Sequence, residues 1–496
     1  MYFSKSKYCE FMRCAKSAWL SKHKREFYNP GEQALAIMAT GNEVGDLAMG
    51  LFGEYIEVTV FKENGSVDIP KMLERTREEL AKGTEVICEA SFDYNGLYCA
   101  VDILKKTDKG YAIYEVKSST RYDKIEYVWD VAYQKSVLTR CGINVDGVYL
   151  VYLSASYERG KDLNLQALFN IEEMSYRIRN IHVDADIAIA KQIVENPVEP
   201  DIDLSKACGK PHECPYWNYC TRSLPSPSVF DLYRMGFEKK LELYRDGIIS
   251  IEDVRGMKCV NHRVRKHQVE AYFDSNYTYV DKKGIGEFLC KLSYPMYFLD
   301  FETMMCAVPV FEGTHCYQQV PFQYSLHYIE REGGEVLHKE FLAQSGVDPR
   351  EEIARRLCED IPTNACVIAY NKQFECARLT ELADAFPCFA DHLLALSENA
   401  VDLLEPFGNG YCYNSAMGSS FSVKSVLPAL YPSDPELDYK SLSGVHNGNE
   451  AMKIYPQIAF MNEEDAEKTR RELKEYCKLD TFAMVKIWQK LTELAR

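Results

Sequence analysis

The sequence predicts an α/β protein of two domains, on three observations. The chain has 496 residues, more than one hydrophobic core normally supports. Each half carries a run of three short strands, and in each half that run is followed by helices and a further strand in alternation. Between the halves lie a Pro- and Cys-rich segment at 197–227 and a segment rich in Lys, Arg and Tyr. Boundaries are expected at 1–224, at 225–293 for a helical connector, and at 294–496.

In the first half, residues 5–25 read as a short helix ending in Lys22, His23, Lys24 and Arg25. Residues 33–52 read as a longer helix broken by Gly41 and Gly45. From Val86 come the strands VICEASFDY, LYCAVDILKK and YAIYEVKS, the first two joined by Asn95-Gly96, a strong hairpin indicator between alternating apolar runs. Ile125–Arg140 has the helical period, residues 147–153 form a buried strand, and 171–195 read as a second long helix. The stretch 229–292 is mostly helical. In the second half PMYFLDFET opens a strand at Pro295, followed by strands around 324–329 and 340–342, the helix Arg350–Asp360, a strand at 365–370 and a closing helix at 463–494.

Composition bounds the function classes. With 46% hydrophobic and 27% charged residues the chain is ordinarily globular, and no stretch approaches the roughly 20 apolar residues that span a bilayer. The N-terminal MYFSKSKYCEFMRC lacks the apolar region of a signal peptide, so a cytoplasmic location is expected and no membrane partner. Protein partners are not indicated. A net charge of −16 excludes a generally basic surface coating nucleic acid. Divalent cations on carboxylates can receive phosphates instead, and Lys22–Arg25 and the run 261–267 are candidate basic tracks.

The chemistry-bearing residues fall in three groups. Asp300 and Glu302 are two apart in a strand, so their carboxylates share a face and form a metal clamp. Glu375 opens the helix after the 365–370 strand, and Tyr476 and Asp480 are four apart on the closing helix, on one side of it. Four acids and a Tyr can hold two divalent ions, one activating water and one stabilising the leaving oxygen of a phosphodiester. In the first half Asp102 lies on the second strand, and Glu115 and Lys117 share a face of the third. Two carboxylates and an ammonium can bind an ion and steady a scissile phosphate. Finally, Cys208, Cys214 and Cys220 are evenly spaced and need a fourth ligand, with Cys14 the leading candidate and Cys9 and His212 as alternatives. Four thiolates suit zinc or an iron-sulfur cluster, and spacing does not separate them.

The second half resembles the DnaQ-like, DEDD-type exonucleases of the RNase H-like fold, on Asp300-x-Glu302, Asn371-x-x-Phe374-Glu375 and Tyr476-x-x-x-Asp480 in that order. The resemblance implies Asp300, Glu302, Glu375 and Asp480 as metal ligands and Tyr476 as the residue that orients water. Glu375 departs from the family's usual Asp, reaching about one bond further. Asp402 is a fallback acid, read as a helix cap or a residue behind the metal ligands. The first half resembles the RecB-like branch of the PD-(D/E)XK nucleases, on Asp102, Glu115-x-Lys117 and Gln134 from the following helix. The branch's metal-binding His is missing, with Glu43 or Asp46 in its region. This resemblance implies a 4Fe-4S cluster on Cys14, Cys208, Cys214 and Cys220. Together they imply a Mg- or Mn-dependent nuclease with two centres acting on DNA, exonucleolytic in mode. The alternatives are an RNA-processing exonuclease and a non-catalytic or redox-regulated nucleic-acid-binding protein.

Overall fold

The computed structural model describes residues 3–209, 213–432 and 434–496, with 32–39 described by backbone alone. The chain divides into two compact α/β units, Met1–Ser223 with Ala307–Tyr317, and Leu224–Cys306 with Gln318–Arg496.

The first unit holds a seven-stranded sheet made of β1 (Phe3–Ser4), β2 (Ile56–Glu57), β3 (Val86–Tyr94), β4 (Leu97–Lys106), β5 (Tyr111–Lys117), β6 (Val145–Leu153) and β7 (Phe169–Glu173). The order is β2-β3-β4-β5-β6-β7, with β1 paired parallel to β4. The β3–β4–β5 meander is antiparallel and β6 joins it parallel to β5. The hairpin at Asn95-Gly96 forms as the sequence predicts. Both residues take positive φ, 53° and 82°, which a two-residue turn with matching twist requires and which Gly adopts without penalty.

The longer helices of this unit are α1 (Lys5–Arg13), α2 (Ala15–His23), α3 (Gly31–Met49), α4 (Ile69–Lys82), α5 (Ile125–Arg140) and α6 (Val183–Glu195). Val131, Tyr133 and Val137 of α5 pack with Tyr8 of α1 and Ile187 of α6 against one set of sheet residues, including Ile113 and Leu150. Val44 and Ala48 of α3 cover another, including Cys88, Ile103 and Val151. Three expectations are corrected here. The helix expected over 5–25 is two, because Cys14 is extended (φ −161°, ψ 113°) and begins α2 as its cap. Gly41 and Gly45 do not break α3; burial of Val44, Ala48 and Met49 offsets a cost of about 1 kcal/mol per helical Gly. Residues 171–195 are not one helix: Phe169–Glu173 pairs antiparallel with β6, and sheet pairing overrides the local preference of Glu172 and Glu173.

The second unit contains α7 (Phe237–Arg245), α8 (Arg263–Phe273), β8 (Thr278–Val280) and α9 (Lys282–Leu289) ahead of its main sheet. That sheet consists of β9 (Met296–Met305), β10 (Gln319–Ile329), β11 (Leu337–Leu342), β12 (Cys366–Ala369) and β13 (Ala400–Asp402), in the order β11-β10-β9-β12-β13. Its longer helices are α10 (Arg350–Asp360), α11 (Gln373–Ala385), α12 (Ala390–Glu398), α13 (Val423–Leu430), α14 (Gly448–Ile454) and α15 (Glu463–Ala495), and a last strand, β14 (Cys412–Asn414), pairs with β8. Residues 225–293 are therefore built into this unit rather than standing apart as a helical connector. Their own small core of Val229, Leu232, Ile251 and Val254 is joined to the rest by the β8–β14 ladder. Among the described residues no helix is long and apolar enough to cross a membrane.

Candidate active site

β9 lies at the centre of the second sheet, antiparallel to β10 and parallel to β12. Phe298, Leu299 and Phe301 are buried, and Asp300 and Glu302 emerge together on one face, as their two-residue spacing predicts. At the end of β12 the chain turns through Asn371, whose φ of 66° is held by its N–H donating to Asp402 Oδ1 at 2.8 Å. Asp402 Oδ1 also accepts from Leu404 N at 2.9 Å, so it braces two loops behind the site and is the N-cap of neither adjacent helix. This turn starts α11, which carries Glu375 in its first turn. α15 is fixed over the sheet by Gln323 Nε2 donating to Leu473 O (3.0 Å) and by a Thr481 hydroxyl against Ser325 and His327 (both 2.7 Å). Tyr476, Cys477 and Asp480 thereby face β9.

All five predicted residues, Asp300, Glu302, Glu375, Tyr476 and Asp480, line one cleft of about 470 Å³. Glu302 and Glu375 are buried, and Glu375 Oε2 has no hydrogen-bond partner among the described residues. An unpaired buried carboxylate oxygen is costly unless a cation completes it. Burial, then the charges of Asp480, Glu302 and Glu375, raises Asp300 well above the usual carboxylate range. Burial and Asp480 do the same to Glu302, opposed by Lys424. Burial first, then Asp402, pushes Glu375 up to about 8. Asp480 is raised by burial and held back by the Tyr439 hydroxyl, which donates to its Oδ1 at 2.5 Å. Buried carboxylates whose charges oppose one another are a donor type that divalent cations can take.

Three nearby residues escaped the sequence reading. Cys477 places its sulfur 3.7 Å from Asp300 Oδ2, and ligand atoms of Asp300, Glu302 and Cys477 all lie within 4.8 Å of one another. Lys424 Nζ is 3.4 Å from the Tyr476 hydroxyl and sits 5.0 and 5.1 Å from the ring centres of Tyr476 and Tyr439. Cys477 was legible as the neighbour of Tyr476 facing the sheet; Lys424 and Tyr439 had no sequence indicator.

In the first unit Glu115, Lys117, Gln134 and Asp102 also come together. Lys117 Nζ donates to Glu115 Oε1 at 2.5 Å and to Asp130 Oδ2 at 2.6 Å. Gln134 Nε2 reaches Glu115 Oε2 at 2.6 Å and Asp130 Oδ1 at 2.9 Å. Asp102 Oδ2 accepts from Val116 N at 2.7 Å. Two further residues complete the cluster: Asp130, one helical turn before Gln134, and Lys5, whose Nζ lies 2.8 Å from Glu115 and 3.3 Å from Asp130. Burial and the neighbouring Asp102 and Asp130 push Glu115 up to about 7, against the two lysines. Glu89 adds a carboxylate from a positive-φ position in β3 (57°), pushed up to about 7 chiefly by burial, with Glu115 and Asp46 contributing. This centre differs from the other in being neutralised internally by two ammonium groups. Among the described residues, no three of its carboxylates meet the 4.8 Å spacing found around Asp300.

Cys14, Cys208, Cys214 and Cys220 are neighbours in the first unit, with no three of their sulfurs within 4.8 Å of one another. Burial raises the thiols of Cys208, Cys214 and Cys220, the last to about 11, and the Cys14 sulfur is an electrostatic neighbour of all three. Cys214 N–H donates to Cys208 O at 2.9 Å, and Arg13 ties α1 to Ala207 O at 3.1 Å. Cys214 and Cys220 pack against Trp19, Leu20, Tyr216 and Tyr219. Cys9, the alternative fourth member, packs against the sheet core, with Asp130, Lys117 and Lys5 as its charged neighbours. His212 lies outside the described residues. The basic run 261–267 is largely absorbed by structure: Arg265 donates to the carbonyls of Tyr233, Arg234 and Cys259, Arg263 pairs with Asp281 at 2.7 Å, and His267 is buried between Tyr277 and Gly410.

Residues 297–422 match a family described as a domain of unknown function (DUF2779), a span that includes Asp300, Glu302 and Glu375. Over 232 residues the chain is 28% identical to an uncharacterized protein of Mycoplasma pneumoniae, the MG366 homolog, in a match covering 42% of this chain and 34% of that protein. The match thus spans about a third of the relative's length. No solved structure shows a significant match.

Proposed function

We propose that the chain is a divalent-metal-dependent nuclease whose principal centre is the Asp300–Glu302–Glu375–Asp480 cleft, in a cytoplasmic protein acting on DNA before RNA. The observation that carries this reading is the convergence of four acids from β9, α11 and α15 on one cleft, with Glu375 Oε2 buried and unpaired. Segments of the chain that lie far apart in sequence assemble like charges at a cost that protonation or a cation partner offsets, and at neutral pH a divalent cation offsets it with all four acids ionised. In this reading the second unit is an RNase H-like exonuclease domain and the first a PD-(D/E)XK nuclease domain. The four gathered cysteines hold a 4Fe-4S cluster, with zinc as the other chemistry four thiolates suit.

The donor set around Asp300 is mostly hard oxygen, which suits Mg or Mn. Asp300, Glu302, Glu375 and Asp480 would hold the ions, which lower the pKa of water and stabilise charge on the leaving oxygen. The chain's own groups do the rest. The Tyr476 hydroxyl, kept in place by Asp480 and Lys424, orients the attacking water; Lys424 offers positive charge beside the carboxylates to an incoming phosphate. In the first unit Lys5 already pairs with Glu115 and Asp130, so a divalent ion there has to displace an ammonium group.

The test is digestion of labelled single- and double-stranded DNA and RNA, side by side, by anaerobically prepared protein with Mn and with Glu302→Gln and Glu115→Gln variants. Divalent-dependent cleavage lost in Glu302→Gln supports the reading. Tight binding of nucleic acid with no cleavage of any polymer would replace it with a non-catalytic binding protein.

A further inference from the structure

The first unit contains a cavity that neither carboxylate centre uses. It lies between the N-terminal helices and α6, encloses about 470 Å³, and is lined by Lys7, Lys22, Arg25 and Lys191, with Phe3, Tyr28 and Tyr216 among its other walls. α1 separates it from the Glu115 centre. Lys5 points to Glu115, whereas Lys7, two residues on and so about 200° around the helix, lines the cavity.

Four cations gathered at one concavity are anomalous in a chain of net charge −16. Two acids line it as well. Glu10 accepts from the Ser17 hydroxyl at 2.8 Å and lies beside Lys7, offsetting part of that charge, and Glu195 is exposed. Lys22, Arg25 and Lys191 have no ion-pair partner among the described residues. His23, from the same basic cluster, plays no part: it stacks on Trp19 at 4.5 Å and bonds Val194 O. The aromatic side supplies the second requirement. Tyr216 is 1% exposed, its ring meets Tyr28 edge-on at 5.6 Å, and its hydroxyl is buried with no hydrogen-bond partner among the described residues. A buried hydroxyl left unpaired loses roughly 1–3 kcal/mol, which a polar atom of a bound ring would restore.

We propose that this cavity binds a phosphorylated nucleotide, its phosphate on Lys7, Lys22, Arg25 and Lys191 and its base against Phe3, Tyr28 and Tyr216 with the Tyr216 hydroxyl as the polar contact. Cations supply the phosphate site, flat aromatic faces the base site, and the volume lies within the range of small-molecule sites. The nucleotide can be free or the terminus of a strand. This binding is independent of whether either carboxylate centre cleaves nucleic acid.

The experiment is calorimetry on the full-length chain without added divalent ions, using AMP, adenosine, inorganic phosphate, and short DNA strands with and without a 5′-phosphate. AMP binding at least tenfold tighter than both adenosine and phosphate is expected, as is at least a tenfold loss in the Lys22→Glu, Arg25→Glu double variant with an unchanged melting temperature. Tyr216→Phe should fold normally and narrow the gap between AMP and phosphate. If the 5′-phosphorylated strand binds more tightly than AMP, the ligand is a strand end; the reverse makes it a free nucleotide. AMP binding no better than adenosine or phosphate, or unchanged by the charge reversal, overturns the proposal.

Discussion

The sulfur of Cys477 lies 3.7 Å from Asp300 Oδ2, placing a soft ligand beside a strand carboxylate in an otherwise hard-oxygen centre. Burial, then Asp300 and Glu302, raises this thiol well above its usual range, so it stays protonated and donates toward Asp300. A thiophilic ion can replace that proton. Zinc is therefore expected to inhibit Mn-supported cleavage, and Cys477→Ser, which removes the soft donor, to raise the half-inhibiting zinc concentration about tenfold or more. Equal zinc sensitivity in the two proteins would remove Cys477 from the metal's reach.

The pH dependence of stability carries an unusual sign. Glu375 is raised to about 8, so between its ordinary value and 8 the folded chain binds a proton that the unfolded chain does not. Stability from this group is present at low pH and is lost as pH rises towards 8, by at most about 1.4 kcal/mol per pH unit. Glu115, raised to about 7, acts in the same direction. Metal-free protein should melt lower at pH 8 than at pH 6, and added Mn should raise the melting temperature more at pH 8. A melting temperature in chelator that rises over this interval would count against the buried, unpaired state of Glu375.

Glu375→Gln keeps the shape of the protonated side chain and cannot ionise. Metal-free stability should match the wild type only below about pH 4, exceed it by about 2 kcal/mol at pH 6 and by more at pH 8, while Mn-supported cleavage falls about 10²-fold or further. Chelator-phase thermal melts and cleavage rates measured on the same preparation check both halves. Gain of stability with loss of function is the expected pattern for a residue selected for a ligand.

In the first unit, Lys5→Met removes the ammonium that pairs with Glu115 at 2.8 Å and Asp130 at 3.3 Å. Because Lys5 keeps 20% side-chain exposure, the cost should fall at or below the lower end of that for breaking a buried pair, about 2–3 kcal/mol. The vacated position should then accept a divalent ion, giving a Mn-dependent rise in melting temperature that a further Glu115→Gln change abolishes. Denaturant unfolding with and without Mn measures it; no Mn effect in Lys5→Met would show that the ammonium is not competing with a cation.

Much of this was readable from local pattern. Asn95-Gly96 announces its hairpin because only a few residue pairs tolerate two positive φ angles in succession, and Asp300 with Glu302 must share a face whatever surrounds them. Helix spacing likewise puts Tyr476 with Asp480, and the same four-residue interval puts Asp130 with Gln134. What stayed hidden depends on contacts across the chain. Lys5 meets Glu115 over 110 positions, Tyr439 meets Asp480 over 41, and no periodicity encodes either. The strand Phe169–Glu173 was missed for the same reason, since its hydrogen bonds to β6 rather than its own residues decide its conformation.

The claim on which the functional reading depends is that Asp300, Glu302, Glu375 and Asp480 hold divalent ions in one place. Counting Mn bound per chain by equilibrium dialysis, in wild type and in Asp300→Asn, measures it without reference to any substrate. The difference between the two proteins should be two ions, with the change confined to the second unit's centre. Identical Mn occupancy in both would mean that the carboxylates assembled on β9, α11 and α15 are not a metal site.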